Sequence, residues 1–378
     1  MPIEVFLLKG DNMNTGLKNI DITTGWVNLN TVCNNRCTWC YRKDDLIGNP
    51  RVMPFEVATQ TVDFFADLGI FSVIFIGGEP TLYPELNKLV EQAKKRQIPE
   101  VTVVSNGRLF KKPELVNRLV EAGLDVFSIS IHGANREIHD RISGVASWDE
   151  SIEGIKNVVA AGQNCSVNIV AGPQNYESIP DSIPQILNLG VAQIIVSCSI
   201  PFFAMGKIEG DNALDPKVFA RLVEKIADAP RNVVILHELP LCLIPRQIFL
   251  RLIEENRLGY GCHIGEGKGL SIDVDGTVTP CNSIPNHPIM ELFDDSRLLY
   301  TPEVFMEVWS NDEEITAIRE QANVYRSEIC QRCDLWKMCT CGCPLAWGHF
   351  DPADYITEEL LGIKAELVYN PIKKGYNP

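Results

Sequence analysis

Cys33-Asn34-Asn35-Arg36-Cys37-Thr38-Trp39-Cys40-Tyr41 is the stretch on which the reading of this chain turns. Its three thiols are separated by three and then two residues, and they follow the alternating run Trp26-Val27-Asn28-Leu29-Asn30. Alternation of that kind signals a strand. The thiols therefore fall on a loop at a strand's C-terminal end, the edge where parallel α/β sheets and barrels carry their chemistry. Three thiolates on one loop can hold a metal centre but leave a tetrahedral site one ligand short.

Beyond that loop the chain alternates regularly. Ala58, Val62, Phe65 and Leu68 share one helical face between Pro54 and Leu68, and Gly69 stands where a C-cap glycine belongs. An apolar strand then ends in Gly77-Gly78-Glu79-Pro80, and the next ends in Ser105-Asn106-Gly107. Further helices stop at Gly123, Gly162 and Gly190, each directly ahead of another apolar run. The spacing predicts strands at 26–32, 71–76, 101–104, 126–131, 166–170 and 193–197. Right-handed crossovers would make them parallel. The fold expected is α/β: a partial (β/α)6 TIM-type barrel, open on one side, followed by a smaller, cysteine-rich α+β domain.

The expected organisation is an N-terminal extension (1–24), the partial barrel (25–205), a bridge (206–260), the cysteine-rich domain (261–350) and a tail (351–378). In the bridge, 202–211 reads as a loop, helices fall near 215–228 and 244–255, and a strand falls at 233–236. Asp275-Gly276 marks a hairpin turn between Leu270–Val274 and Thr277–Thr279.

A net charge of −15 argues against a phosphate-tracking surface, and so against nucleic acid as a partner. No apolar run reaches the roughly 18–20 residues of a membrane helix, and no signal-peptide pattern opens the chain. A reducing, cytoplasmic location is expected. There the thirteen cysteines are metal ligands or redox groups rather than disulfides. Seven of them lie between 262 and 343 or at those positions, three lie at 33–40, and Cys165 and Cys198 sit in apolar runs as small core residues.

Cys33-x3-Cys37-x2-Cys40 after the first strand of a βα array resembles the signature of the radical S-adenosylmethionine (radical SAM) superfamily. The resemblance implies a 4Fe–4S cluster held by Cys33, Cys37 and Cys40, with the fourth iron free to chelate S-adenosylmethionine. One electron then cleaves the sulfonium to a 5′-deoxyadenosyl radical, and the family draws that electron from a flavodoxin- or ferredoxin-type donor. Gly77, Gly78, Glu79 and Pro80 resemble the family's methionine-binding turn, with Glu79 an acceptor for the α-ammonium. Ser105, Asn106, Ser128, Ser130, His132 and Asn168 resemble positions that contact the cofactor's ribose and carboxylate, and Trp39 lies at the position beside its adenine.

The second thiol group is similar to the SPASM extension. Cys262, Gly276 and Cys281 match its opening, and Cys330-x2-Cys333-x5-Cys339-x3-Cys343 matches its core. These spacings fit no common zinc motif. The resemblance implies two auxiliary 4Fe–4S clusters, the nearer on Cys262, Cys281 and Cys343 and the outer on Cys330, Cys333 and Cys339. Two departures stand out. No cysteine follows Cys343, while Cys341 and Cys242 are additional thiols, Cys341 being a candidate fourth ligand. The residue after Cys281 is Asn282, where sulfatase-maturing relatives carry an aspartate base; an amide cannot take that proton.

The function expected is hydrogen abstraction from a ribosomally made peptide, giving a crosslink or related modification. With the first strand starting near residue 26, a separate leader-recognition protein is an expected partner. Alternatives are a small-molecule substrate (sugar, alcohol or tetrapyrrole), a sulfatase, or a non-catalytic electron carrier. Glu238 and His237 are candidate catalytic residues by position only.

Overall fold

The computed structural model describes residues 22–46, 49–204, 207–285 and 287–357. Residues 1–21 of the expected extension and 358–378 of the expected tail lie outside the described residues.

The six expected strands form: β1 (Thr24–Asn28), β2 (Ser72–Ile76), β3 (Glu100–Ser105), β4 (Val126–Ser130), β5 (Cys165–Ala171) and β6 (Gln193–Cys198). Each is parallel to the next. Val27, Val73, Phe75, Val101, Val103, Phe127, Ile129, Val167, Ile169, Ile194 and Val196 are fully buried. Helices Phe55–Asp67, Leu86–Lys95, Pro113–Glu121, Trp148–Ala160 and Ile179–Leu187 alternate with these strands and bury their apolar faces. Burial of each large apolar side chain contributes about 1.5–3 kcal/mol, so this layer is the main stabilising contact of the fold.

The sheet continues past those six strands. β7 (Phe202–Ala204) and β8 (Lys207–Glu209) form a separate hairpin in the segment expected to be a loop. β9 (Val233–His237) then pairs parallel with β6, and β10 (Leu258–Tyr260) pairs parallel with β9. At the other edge β11 (Gly269–Ile272) lies parallel to β1, and β12 (Thr277–Thr279) and β13 (Met290–Glu291) follow antiparallel. The resulting eleven-stranded sheet runs β10-β9-β6-β5-β4-β3-β2-β1-β11-β12-β13. Its edge strands β10 and β13 are not paired with each other, so the array is open. The cysteine-rich region is thus built onto β1, the strand that leads into the first thiol loop.

Helices Pro302–Asn311 and Glu313–Ala322 follow the sheet. Phe305 meets Phe64 edge-on at 5.1 Å, packing the first of these helices against Phe55–Asp67. Cys165 and Cys198 are buried in the core. Among the described residues, no helix is long and apolar enough to cross a membrane.

Candidate active site and auxiliary thiol groups

The loop after β1 is held in place from several sides. Gly78 N donates to Asn30 O at 2.7 Å, Glu79 N to Val32 O at 2.8 Å, and the Asn30 side chain donates to Glu79 O at 3.1 Å. A Cβ at Gly77 would stand 2.5 Å from Asn30 O, and one at Gly78 2.3 Å from Val32 O. The two glycines are therefore needed for the turn after β2 to lie against the strand that feeds the cysteines. On the opposite side Arg36 N donates to Ser143 O and Thr38 N to Ile142 O, at the end of helix Arg136–Ser143.

Glu79 is buried, and its carboxylate is occupied within the protein. Oε1 accepts from Thr81 N, Thr81 Oγ1 and Ser105 Oγ, and Oε2 accepts from Asn106 N at 2.8 Å. Burial raises its pKa while these donors oppose the rise. The Glu79 side chain thus ties the glycine turn to the end of β3. That task stands beside the ammonium contact expected of it: among the described residues Oε2 accepts from Asn106 N alone, so it can take a further donor. Pro80 follows as the first residue of the short 3-10 turn Pro80–Leu82, which Glu79 caps.

Asn106 extends the network by donating from Nδ2 to Asn34 Oδ1 at 2.6 Å. Arg108 donates to the carbonyl of Asn34 and, at 3.2 Å, to Asn35 Oδ1, and it pairs with Glu150. Ser128 and Asn168 bond to each other across β4 and β5 at 2.5 Å, and Ser130 stands opposite Asn168 in register. His132 lies past β4 with Nε2 3.8 Å from Cys37 Sγ. Its ring meets Trp39 edge-on at 5.4 Å and stacks on His139 at 5.5 Å. Trp39 packs over Gly172, where a Cβ would lie 2.9 Å from the indole. The structure therefore brings Trp39, the glycine turn, Ser105, Asn106 and His132 around the three thiols. Ser128, Ser130 and Asn168 line the adjoining strand ends.

The donor set fits a group bound by three thiolates. Burial pushes the Cys33 thiol up to about 11 and Cys37 to about 12, and it raises Cys40. Without a cationic centre these buried groups stay protonated; an iron centre reverses that preference. Among the described residues His132 Nδ1 is buried without a hydrogen-bond partner, leaving polar capacity at the same place, and the Asn35 side chain faces Cys37. Burial holds the His132 imidazole neutral, its pKa lowered to about 3.

The distant cysteines separate into two groups. Cys262, Cys281 and Cys343 are mutual electrostatic neighbours, and Glu238 is a neighbour of each. Burial lifts the Glu238 carboxyl to about 7, and its backbone oxygen accepts from Cys343 N at 2.7 Å. The His237 side chain lies outside the described residues. Cys330, Cys333, Cys339 and Cys341 form the second group, and Cys242 joins them as a lining residue of one narrow cavity. Among the described residues, no three His, Cys, Asp or Glu side chains converge on the space of a single metal ion.

Between the two thiol regions, Arg42 is buried with Asp45 and Asp273, its Nε 2.8 Å from Asp45 Oδ2 and its Nη2 2.9 Å from Asp273 Oδ1. Asn282 Oδ1 accepts from Ser271 Oγ at 2.8 Å and from Asn28 Nδ2 at 3.4 Å. The amide at this position joins β1 to the hairpin. Lys43 pairs with Glu209 at 3.0 Å and lies over Phe202, which fixes the β7–β8 hairpin against the first thiol loop. Sequence reading missed Asn30, Arg42, Arg108 and Asp273, and it named Cys242 as a spare thiol without assigning it to a group. Arg42, two residues after Cys40, was the one with a local signal.

A family model for the radical SAM superfamily matches residues 27–184, and one for SPASM, an iron–sulfur cluster-binding domain, matches residues 262–334. Residues 27–184 are thus a radical SAM domain and residues 262–334 a SPASM region, domains whose cofactors are S-adenosylmethionine and an iron–sulfur cluster. In sequence it is similar to a protein named Probable GTP 3',8-cyclase from Saccharolobus islandicus, at 28% identity over 256 residues, covering 68% of this chain and 81% of the relative. A relative of the same name from Sulfurisphaera tokodaii is 31% identical over 169 residues, covering 44% of this chain and 53% of the relative. In fold it is similar to SuiB from Streptococcus suis bound to S-adenosylmethionine, with a TM-score of 0.64 and 21% identity, covering 86% of this chain and 74% of that one. It also resembles anSMEcpe with bound AdoMet and Cp18Cys peptide, with a TM-score of 0.65 and 17% identity, covering 85% and 88%.

Proposed function

We propose that this chain oxidatively modifies a ribosomally made peptide in a reducing cytoplasm, using one cluster at Cys33, Cys37 and Cys40 and two auxiliary clusters in the SPASM region. The bound cofactors would supply the 5′-deoxyadenosyl radical that abstracts hydrogen from the substrate. The chain's own residues bind and orient. Cys33, Cys37 and Cys40 hold the cluster; the Gly77–Gly78 turn, Asn106, Ser130, Asn168 and Trp39 shape the S-adenosylmethionine seat. Neutral His132 and the packed ring of Trp39 keep water from the thiol loop. Glu238, beside Cys262, Cys281 and Cys343 and lifted by burial to about 7, would take the substrate proton.

The observation that carries the peptide reading is the open sheet, whose unjoined edges β10 and β13 leave a side through which an extended chain can enter. Fold neighbours solved with peptides, SuiB with precursor peptide SuiA and anSMEcpe with Cp18Cys peptide, support it. The curated sequence relatives favour a second reading, a purine nucleotide substrate. Against it, cations near the first thiols are engaged within the protein: Arg42 with Asp45 and Asp273, Arg108 with Glu150, and Arg36 with the carbonyls of Cys33 and Asn35. A triphosphate needs basic groups that are free to meet it.

The partners proposed are the peptide, a separate leader-recognition protein and a flavodoxin- or ferredoxin-type electron donor; nucleic acid and membrane are not among them. The test is anaerobic turnover of the reconstituted, reduced enzyme with S-adenosylmethionine and either a short peptide encoded beside its gene or GTP. 5′-Deoxyadenosine formation with a peptide that loses hydrogen supports the proposal. Product from GTP, with none from the peptide, sinks it.

A further inference from the structure

No cysteine stands in residues 344–378, so within the sequence given the outer SPASM thiols, Cys330, Cys333 and Cys339, have no downstream cysteine to complete a four-thiolate set. We propose that Cys242, from the segment linking β9 and β10, completes that set, and that Cys341 serves as a thiol donor to Cys330. This rests on the auxiliary clusters proposed above.

Cys242 lies in the short turn Leu241–Leu243, far from the other four thiols in sequence. The turn is pinned to the group by its own backbone, since Leu241 N donates to Cys339 Sγ at 3.2 Å. Cys242 then shares one cavity wall with Cys330, Cys333 and Cys339. It is an electrostatic neighbour of all three, the same trio left one ligand short. Ligation balances simply: Cys242 gives its proton to solvent, and the thiolate forms an iron–sulfur bond.

Cys341 is arranged differently. Its Sγ is 3.3 Å from Cys330 Sγ, a contact in which one sulfur donates a proton to the other. Protein thiolates on one cluster occupy separate irons, so two ligand sulfurs do not stand in such contact. The backbone explains why Cys341 is drawn to that place. Thr340, Cys341 and Gly342 all have positive φ, at 43°, 60° and 72°. Left-handed geometry at two successive non-glycine residues costs roughly 1–3 kcal/mol each and survives only where the surroundings enforce it. Here Trp347 Nε1 holds Cys341 O at 2.9 Å, and Cys343 N bonds Glu238 O. The run reverses the chain so that Cys339 faces the outer group and Cys343 the inner one. Cys341, caught at the reversal, leans on Cys330. A hydrogen bond to a ligand sulfur tunes a cluster's potential without adding a ligand.

The test uses the full chain with Cys33→Ala, Cys37→Ala and Cys40→Ala, so that iron reports the auxiliary sites alone. After anaerobic reconstitution with ferrous iron and sulfide this background is expected to hold roughly 8 iron per chain. Adding Cys242→Ala should lower that to roughly 4–7, with a three-iron EPR signal replacing part of the four-iron one. Cys242→Ser should keep the iron but alter the EPR signal of one cluster, which guards against a misfolded alanine variant. Cys341→Ala should keep roughly 8 iron and shift one midpoint potential. The assignment is overturned if both Cys242 variants match the background in iron and spectra, or if Cys341→Ala loses iron. A background that holds no iron overturns the auxiliary clusters themselves, and the assignment with them.

Discussion

Arg42 and Asp273 form a buried ion pair between the first thiol loop and the SPASM hairpin, with 2.9 Å between Nη2 and Oδ1. Both are almost wholly removed from solvent, Arg42 at 2% and Asp273 at 1% exposure. A second carboxylate, Asp45, meets Arg42 as well and is itself paired with Arg51, so two cations face two anions. The residue two positions after Cys40 is therefore set by a residue of the other cluster-binding region.

Removing Asp273 should be costly. Asp273→Ala leaves the Arg42 guanidinium buried with Asp45 alone and is expected to cost about 3 kcal/mol. Replacing both partners by apolar residues, Arg42→Met with Asp273→Leu, should recover most of that loss. Denaturant unfolding of the three proteins checks it; equal stability of the single and double variants would contradict the buried-pair account.

Gly78→Ala should disturb cofactor binding. The new Cβ would meet Val32 O at 2.3 Å, backbone against backbone, so the turn or the cysteine strand must move. A loss of S-adenosylmethionine affinity of about tenfold or more, near 1.4 kcal/mol, is expected by equilibrium dialysis. Gly69→Ala meets no atom within 4 Å and strains only its own turn, so it should leave affinity unchanged while lowering stability.

Glu79→Gln turns one acceptor oxygen into a donor facing groups that themselves donate. Thr81 and Ser105 can rotate their hydroxyls, but Asn106 N and Thr81 N cannot reverse. The expected cost is about 1–3 kcal/mol of stability. Weaker S-adenosylmethionine binding should accompany it, read by calorimetry. Glu79→Asp should also fail to span to Asn106.

His139 should make stability fall in mild acid. It is buried between His132 and Trp148, bonded to Ser147 and next to Asp140, and burial lowers its pKa from 6.5 to about 4. Above pH 6.5 it is neutral in both states and contributes no pH dependence. Below that the unfolded chain takes up the proton first, so stability drops as pH falls toward about 4. Between pH 7.5 and 5.5 the wild type should lose about 1.4 kcal/mol more than His139→Gln, measured in the same cluster state. Parallel pH profiles for the two would contradict it.

Much of the sheet was legible because helix-ending glycines hand over directly to apolar runs, as at Gly123 and Gly162, both with positive φ. Cys33, Cys37 and Cys40 were legible because one loop supplies them all. Local pattern failed where partners are remote. Helix Arg136–Ser143 has only Ile138 and Ile142 as an apolar pair, yet its Asn135 cap and left-handed Gly144 define it. β9 was expected as a strand at 233–236, but its place beside β6 and the addition of β10 beyond it were not legible, because those pairings are tertiary. Glu79 was found by motif, but its structural task was not legible, since its donors come from Thr81, Ser105 and Asn106. Arg42–Asp273 and Cys242–Cys339 join positions that no spacing rule connects.

β1 has one further consequence, for the ribosome. Its register is shared on one side with β2 and on the other with β11, Thr24 standing opposite both Ser72 and Gly269. During synthesis the β2 side can close early, but the β11 side stays bare until nearly two hundred further residues have emerged. An exposed strand edge in a nascent chain is a template for wrong partners, and late closure of so distant a pairing slows folding. The strand that presents the radical-cluster loop is thus the last part of the barrel to be sealed. A chain cut short before Gly269 should therefore tend to aggregate rather than persist as a free-standing barrel.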